Sequence, residues 1–245
     1  MVSKIDMPDP NIVATAKDSG VAVLPGVFSQ SDIDSARKLI LSNLHLMKNT
    51  RPNPCSRHLA GFHRYPELEP LHCMLTGHKY IQSYLTRLCG DQVRTIGLSD
   101  ITVNRSQQWH KDLLRGKFRH LLGEHSKSSR SHGLLYKVIV YLQDSNSLLF
   151  IPGSHKQDIA LDSDERAIPK DISQVRGIST RAGDVVLIDI CTTHRGSEEE
   201  AFMSDEKAAN PSILISTVFG AVDNEFTNIM EAGNAIRLSE WMHIS

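Results

Sequence analysis

Two short clusters in this chain carry chemistry only if the fold brings them together. The first is Gln108-Trp109-His110-Lys111-Asp112, where an imidazole and a carboxylate two residues apart can both bind one metal ion. The second, Thr193-His194-Arg195-Gly196, puts another imidazole 82 positions beyond Asp112, after the strand-like run Gly183-Asp184-Val185-Val186-Leu187-Ile188-Asp189. Two histidines and one carboxylate form the facial set that leaves metal positions open and marks non-haem Fe(II) oxygenases. The chain must therefore fold so that residues 110, 112 and 194 meet.

The hydrophobic pattern says which elements can do this. Residues 21–28 read as a short strand broken at Pro25-Gly26, followed by the helix-start cluster Ser29-Gln30-Ser31-Asp32. Ile33, Ala36, Ile40, Leu44 and Met47 then recur at helical steps and give one apolar face, suited to packing on a sheet. Residues 51–70, with four prolines, read as an irregular segment holding His58, His63, Arg64 and Tyr65. A second helix is expected over 76–89, with Ile81, Tyr84, Leu85 and Leu88 on one face and Gly90 at its stop. Strands are expected over 94–103, 134–142, 148–151, 185–190 and 212–219. In the clearest of these, Leu134, Tyr136, Val138, Val140 and Leu142 share one face, with Leu135, Lys137, Ile139 and Tyr141 on the other. Residues 224–245 are ambiguous, Asp162, Asp164 and Glu165 fall in a polar stretch, and the acid-rich residues 198–206 read as a solvated, mobile loop.

Helices first and strands later indicate a mainly β protein with flanking helices, its core a double-sheet jelly roll with an open mouth. Without repeats or composition breaks, one domain is expected over 1–245: a helical part over about 1–92, the core over about 93–222 and a tail over 223–245. Lys plus Arg (27) and Asp plus Glu (28) nearly cancel, so no global field points to nucleic acid or a membrane surface. The early charge, Pro8 and Pro10 do not read as a secretory signal or anchor, which leads us to expect a soluble, cytoplasmic protein. Cys55, Cys73, Cys89 and Cys191 lack paired spacing and read as free or buried thiols.

The ordered blocks Trp109-His110-Lys111-Asp112, Lys137-Val138-Ile139-Val140-Tyr141-Leu142-Gln143-Asp144, Phe150-Ile151-Pro152-Gly153-Ser154-His155-Lys156, Gly183-Asp184-Val185-Val186 and Thr193-His194-Arg195-Gly196 resemble the phytanoyl-CoA dioxygenase family. The resemblance implies a double-stranded β-helix, Fe(II) and 2-oxoglutarate as cofactors with O2 as co-substrate, and His110, Asp112 and His194 as the metal ligands. His155 lies in a block that is a structural turn in the family and is left out of the site. The resemblance also implies that a carboxylate at Asp112 favours oxygen insertion over halogenation, which uses a small residue there.

One departure stands out. Members hold the distal carboxylate of 2-oxoglutarate with an arginine at the start of the last core strand, where this chain has Ser212. A dianionic cosubstrate still needs a cation, and a charge-assisted contact contributes about 1.5–3 kcal/mol. Lys137, in an otherwise apolar strand, and Arg195 are the candidates; we favour Lys137, because a strand sends Arg195 to the face opposite His194. The competing reading puts Lys137 at an open sheet edge. Ser212 and Ser216 share a strand face and could line a small polar pocket. Basic residues also outnumber acids over 113–133, so this loop is expected to cover the site and bind an anionic substrate through Arg115, Arg119 and Arg130.

Together these readings give an oxygenase that hydroxylates an unactivated C–H of a small, anionic molecule and releases succinate and CO2. The alternatives are desaturation or ring formation at the same iron, a cupin-like metalloenzyme that does not use 2-oxoglutarate, and a binding protein with a dead oxygenase site. Oligomeric state is not legible in the sequence.

Overall fold

The computed structural model describes residues 7–49, 51–90, 92–158, 160–162, 166–169 and 171–241. The expectations for the first six residues, for Asp164 and Glu165 and for 242–245 lie outside the described residues. The chain begins with helix α1 (Pro10–Ser19) and strand β1 (Val21–Leu24), then α2 (Gln30–Ser42). Helix α2 starts at a capping box in which Ser29 and Asp32 satisfy each other's backbone N–H groups, and it buries Ile33, Ala36 and Ile40. Next come β2 (Arg57–Ala60), α3 (Glu69–Thr76), α4 (Lys79–Cys89) and β3 (Val93–Val103). A 3-10 stretch (Gly116–Ser126) and the short α5 (Ser128–Ser131) lead to β4 (Leu135–Tyr141) and β5 (Ser145–Phe150). The remaining elements are β6 (Arg176–Thr180), β7 (Val185–Asp189), β8 (His194–Arg195), α6 (Asp205–Ala209), β9 (Ile213–Ala221) and α7 (Glu225–Trp241).

The strands form two antiparallel sheets, ordered β1-β7-β4-β9-β3-β2 and β6-β5-β8. An isolated bridge between His110 and His194 adds a fourth line of chain to the smaller sheet. This is a double-stranded β-helix, and every residue of its central strand β4 is buried. Period two explains why: Tyr136, Val138 and Val140 join the core under the helices, while Ile139 and Tyr141 meet Leu148 and Phe150 of the smaller sheet. Lys137 shares the inward face with Ile139 and Tyr141. Because β4 lies between β7 and β9, Lys137 does not sit at a sheet edge.

Two expectations need correction, for 51–70 and for the stretch after His194, and two others are sharpened. Residues 51–70 are not wholly irregular, since β2 pairs with β3 in the register Leu59 to Ile101. The helix expected over 76–89 is α4, which begins at Lys79, with Gly77-His78 separating it from α3. The tail is ordered as α7, which buries Phe226, Met230 and Leu238. The stretch expected to be a solvated loop after His194 folds into a 3-10 turn (Glu199–Phe202) and α6, and it buries Phe202. The four cysteines are free. Among the described residues no helix is long and apolar enough to cross a membrane.

Candidate metal centre

The sheet pairing itself builds the three-residue cluster. His110 and His194 exchange both backbone hydrogen bonds, N to O at 2.9 Å one way and 3.0 Å the other, and so lie directly opposite each other in an antiparallel pair. Directly opposed residues project on the same face, and Asp112, two positions on, returns to that face. A further bond, Asp112 N to Ile190 O at 2.9 Å, holds the turn in place. The ligand-capable atoms of His110, Asp112 and His194 all lie within 4.8 Å of one another. Each imidazole turns Nε2 toward a different oxygen of Asp112, at 3.5 Å in both cases.

The surroundings prepare both rings to bind a metal through Nε2. His110 Nδ1 lies 2.6 Å from the carbonyl of Gln108, and His194 Nδ1 lies 2.9 Å from that of Thr192. A carbonyl can only accept, so each Nδ1 carries a proton and Nε2 is the ring atom left to bind a metal. His110 Nε2 is buried without a hydrogen-bond partner. Burial, with His110 beside it, pulls His194 down to about 3, so its ring is neutral. Two imidazoles and a carboxylate, the rings oriented by backbone carbonyls, fit Fe(II). Burial pushes Asp112 upward, but the opposing charge of Lys137 is the largest of the effects that hold it well below the usual carboxylate range.

Lys137 sits at this centre. Its Nζ contacts both oxygens of Asp112 at 3.1 Å, with both side chains almost fully buried. Lys111, between the two ligand positions, faces the other way: its ammonium donates to Ser128 Oγ at 2.6 Å and to the carbonyls of Ser154 and Gln157 at 3.0 and 2.9 Å. It ties α5 and the 154–157 turn to the metal motif.

Two cavities adjoin the cluster and share Asp100, Arg105, Gln107 and Lys137 in their walls. The first, of about 220 Å³, runs between the sheets from His194 and Lys137 past Ile139 and Ser216 to Ser212 and Lys207. The second, of about 270 Å³, is bounded by Asp112 and Lys137 and by Arg105, Arg115 and Arg237. The other predicted site residues are dispersed. Arg195 pairs with Glu198 and lies over Trp109, 5.7 Å from the ring centre, on the side of the strand opposite the cluster. Arg119 lines a separate cavity beside Lys111, and exposed Arg130 pairs with Glu124.

Sequence reasoning missed Lys207, Arg105 and Arg237. Lys207 Nζ donates to Ser212 Oγ at 3.0 Å. Asn104, in the left-handed region with φ 45°, holds this arrangement: its Nδ2 donates to Lys207 O and its Oδ1 accepts from Ser212 N, both at 2.8 Å. A polar side chain just after β3 was the only sign of it in the sequence.

The model of the phytanoyl-CoA dioxygenase (PhyH) family matches residues 56–200. No curated protein matches the chain in sequence. Among solved structures, the chain resembles HygX from Streptomyces hygroscopicus with nickel, 2-oxoglutarate and hygromycin B bound, at 17% identity and a TM-score of 0.63, covering 88% of each chain. It also resembles the epimerase SnoN in complex with Fe3+, alpha ketoglutarate and nogalamycin RO, at 16% identity and a TM-score of 0.62, covering 86% of this chain and 82% of that one. The carbocyclase SnoK from nogalamycin biosynthesis matches at 18% identity and a TM-score of 0.61, covering 89% and 86%.

Proposed function

The chain belongs to the phytanoyl-CoA dioxygenase family and is an iron- and 2-oxoglutarate-dependent oxygenase-type enzyme, and we propose that it hydroxylates an unactivated C–H of a small, anionic molecule. In the balanced reaction, substrate, O2 and 2-oxoglutarate give the hydroxylated substrate, succinate and CO2. The observation that carries this reading is the exchanged backbone pair of His110 and His194, with Asp112 on the same face. His110, Asp112 and His194 would hold Fe(II), which when bound supplies the oxidative chemistry that no side chain can.

The chain's own residues orient and exclude. The carbonyls of Gln108 and Thr192 fix the two imidazole planes, and buried Ile139 and Leu148 keep the interior between the sheets dry. 2-Oxoglutarate would occupy the cavity between the sheets, with Lys137 at its metal end and Lys207, resting on Ser212, at the other. Two lysines thus supply the positive charge that Ser212 lacks. Asp112 would be the third protein ligand of the metal, and a carboxylate there favours oxygen insertion over halide transfer.

The test is spectroscopic. Anaerobic addition of Fe(II) and then 2-oxoglutarate should give the visible charge-transfer band of a chelated complex, and succinate should form once air is admitted. A protein that shows no band at saturating 2-oxoglutarate does not use this cosubstrate. The band should be lost in His110→Ala.

A further inference from the structure

We propose that His63, Glu69 and His72 form a second metal site, for Zn(II), apart from the oxygenase centre. None of the three lines either cavity beside His110, Asp112 and His194, and the inference does not depend on the oxygenase reading.

The spacing of two imidazoles is the first argument. His63 lies in a 3-10 turn (Phe62–Arg64), and His72 lies on α3. Their ring centres are 5.6 Å apart and the rings are tilted by 39°. A zinc ion held at about 2.1 Å by two ring nitrogens at a tetrahedral angle sets the ring centres about 5 Å apart, so the pair needs only a small adjustment. His110 and His194, with ring centres at 4.2 Å, suit the narrower angle of a facial set instead.

The second argument is that both rings have a nitrogen to spare. His63 Nδ1 and His72 Nε2 are buried without a hydrogen-bond partner. A Cβ on Gly97 of β3 would lie 3.5 Å from His63 Nε2, so the backbone there covers that edge of the ring and leaves Nδ1 for a ligand. Burial, the largest effect on each, lowers both pKa values and keeps the rings neutral at pH 7, so each offers one lone pair. Arg64 is turned away, donating to the carbonyls of Gly61, Ala60 and Leu238.

The carboxylate is the third. Glu69 and His72 stand three residues apart on α3 and are neighbours on its surface, the Glu-x-x-His pairing that helical metal sites use. Among the described residues only His110, Asp112 and His194 already have their ligand atoms within 4.8 Å of one another, so Glu69 closes the second set by rotating. It is exposed, its charge already acts on His72, and no packing opposes that rotation. Two imidazoles, a carboxylate and a water complete the tetrahedron zinc favours, and the ion would clamp the 3-10 turn onto α3.

The test uses the full chain carrying His110→Ala, which disables the first centre, with Co(II) and Zn(II) as probes. This chain should bind one Co(II) and show the intense visible band of a four-coordinate ion. Adding His63→Gln or His72→Gln should abolish the band. Glu69→Gln, an exposed change safe for folding, should weaken Co(II) binding at least about tenfold. Zn(II) should displace Co(II) and raise the melting temperature, and that rise should vanish with His72→Gln. Cys73→Ser, which removes the exposed thiol beside His72, should alter none of this. If His110→Ala does not fold, the wild type serves, with two Co(II) per chain falling to one in His72→Gln. No four-coordinate band, a band that survives His63→Gln or His72→Gln, full affinity in Glu69→Gln, or a thiolate charge-transfer band lost in Cys73→Ser would each overturn the proposal.

Discussion

His194 shows how much of this site is set by the charge state of one side chain. Folded, it is held at about 3; unfolded, it takes up a proton below its ordinary 6.5. Between those values the unfolded chain binds more protons, so this stabilisation is complete above about pH 6.5 and is lost as the pH falls toward 3. Asp112 and Asp100, both held low, lose theirs over a lower range, below about pH 4. The metal-free protein should therefore melt at a lower temperature at about pH 5 than at pH 7, and His194→Gln should flatten that difference in thermal melts. Lys137→Met leaves Asp112 buried without its cation and should cost the metal-free protein about 3–5 kcal/mol in urea denaturation, with metal restoring more stability than in wild type. Lys207→Met should weaken the 2-oxoglutarate titration of the charge-transfer band and raise KM for the cosubstrate with a smaller effect on kcat. The ligands were legible because their residue types and spacing are local and chemically restrictive. Lys137 was noticed for its place in an apolar strand, but its carboxylate partner lies 25 positions away and only the folded sheet reveals it. Lys207 sat in an acid-rich stretch that looks solvated, since Asn104, which pins it, is 103 positions distant.

Among the elements, strong periodicity made α2, α4, β3, β4, β7 and β9 readable, and the failures have a common cause. The buried face of α7 includes Thr227, Gly233 and Asn234, which blur the apolar stripe that identifies a helix. Gly233 is there because α7 passes close to Leu114: a Cβ would lie 2.3 Å from Leu114 Cδ1. Gly233→Val should push Leu114 toward the second cavity and destabilise the protein by roughly 1–3 kcal/mol, measured by urea denaturation. Strand β2 was hidden by flanking prolines, and four residues have little strand character until β3 supplies their hydrogen bonds. Lys111 joins elements in a way no motif announces. Its three hydrogen bonds hold α5 and the 154–157 turn, so Lys111→Met should raise amide exchange over 126–132 and 154–158 while His110 and Asp112 still bind metal.

Across the whole molecule, the helices cover the outer face of the large sheet and the two cavities open near the junction with the smaller one. The mainly β architecture was legible from strand count and order, whereas the cavity walls were not, because they combine residues from β3, β4, β9, α6 and α7 that only tertiary packing assembles. In the metal-free state Lys137 already neutralises Asp112, so chelation should leave the protein folded and reversibly reloadable, with circular dichroism unchanged and a lowered melting temperature. The paired backbone of His110 and His194 also bears on how the chain reaches this state. The chain between them must close as a loop of more than eighty residues before either bond forms, and such long-range closure is entropically unfavourable and slow. Competence to bind metal should consequently appear among the last events of refolding, after helix formation, which makes the ion itself a clock for completion of the native sheet.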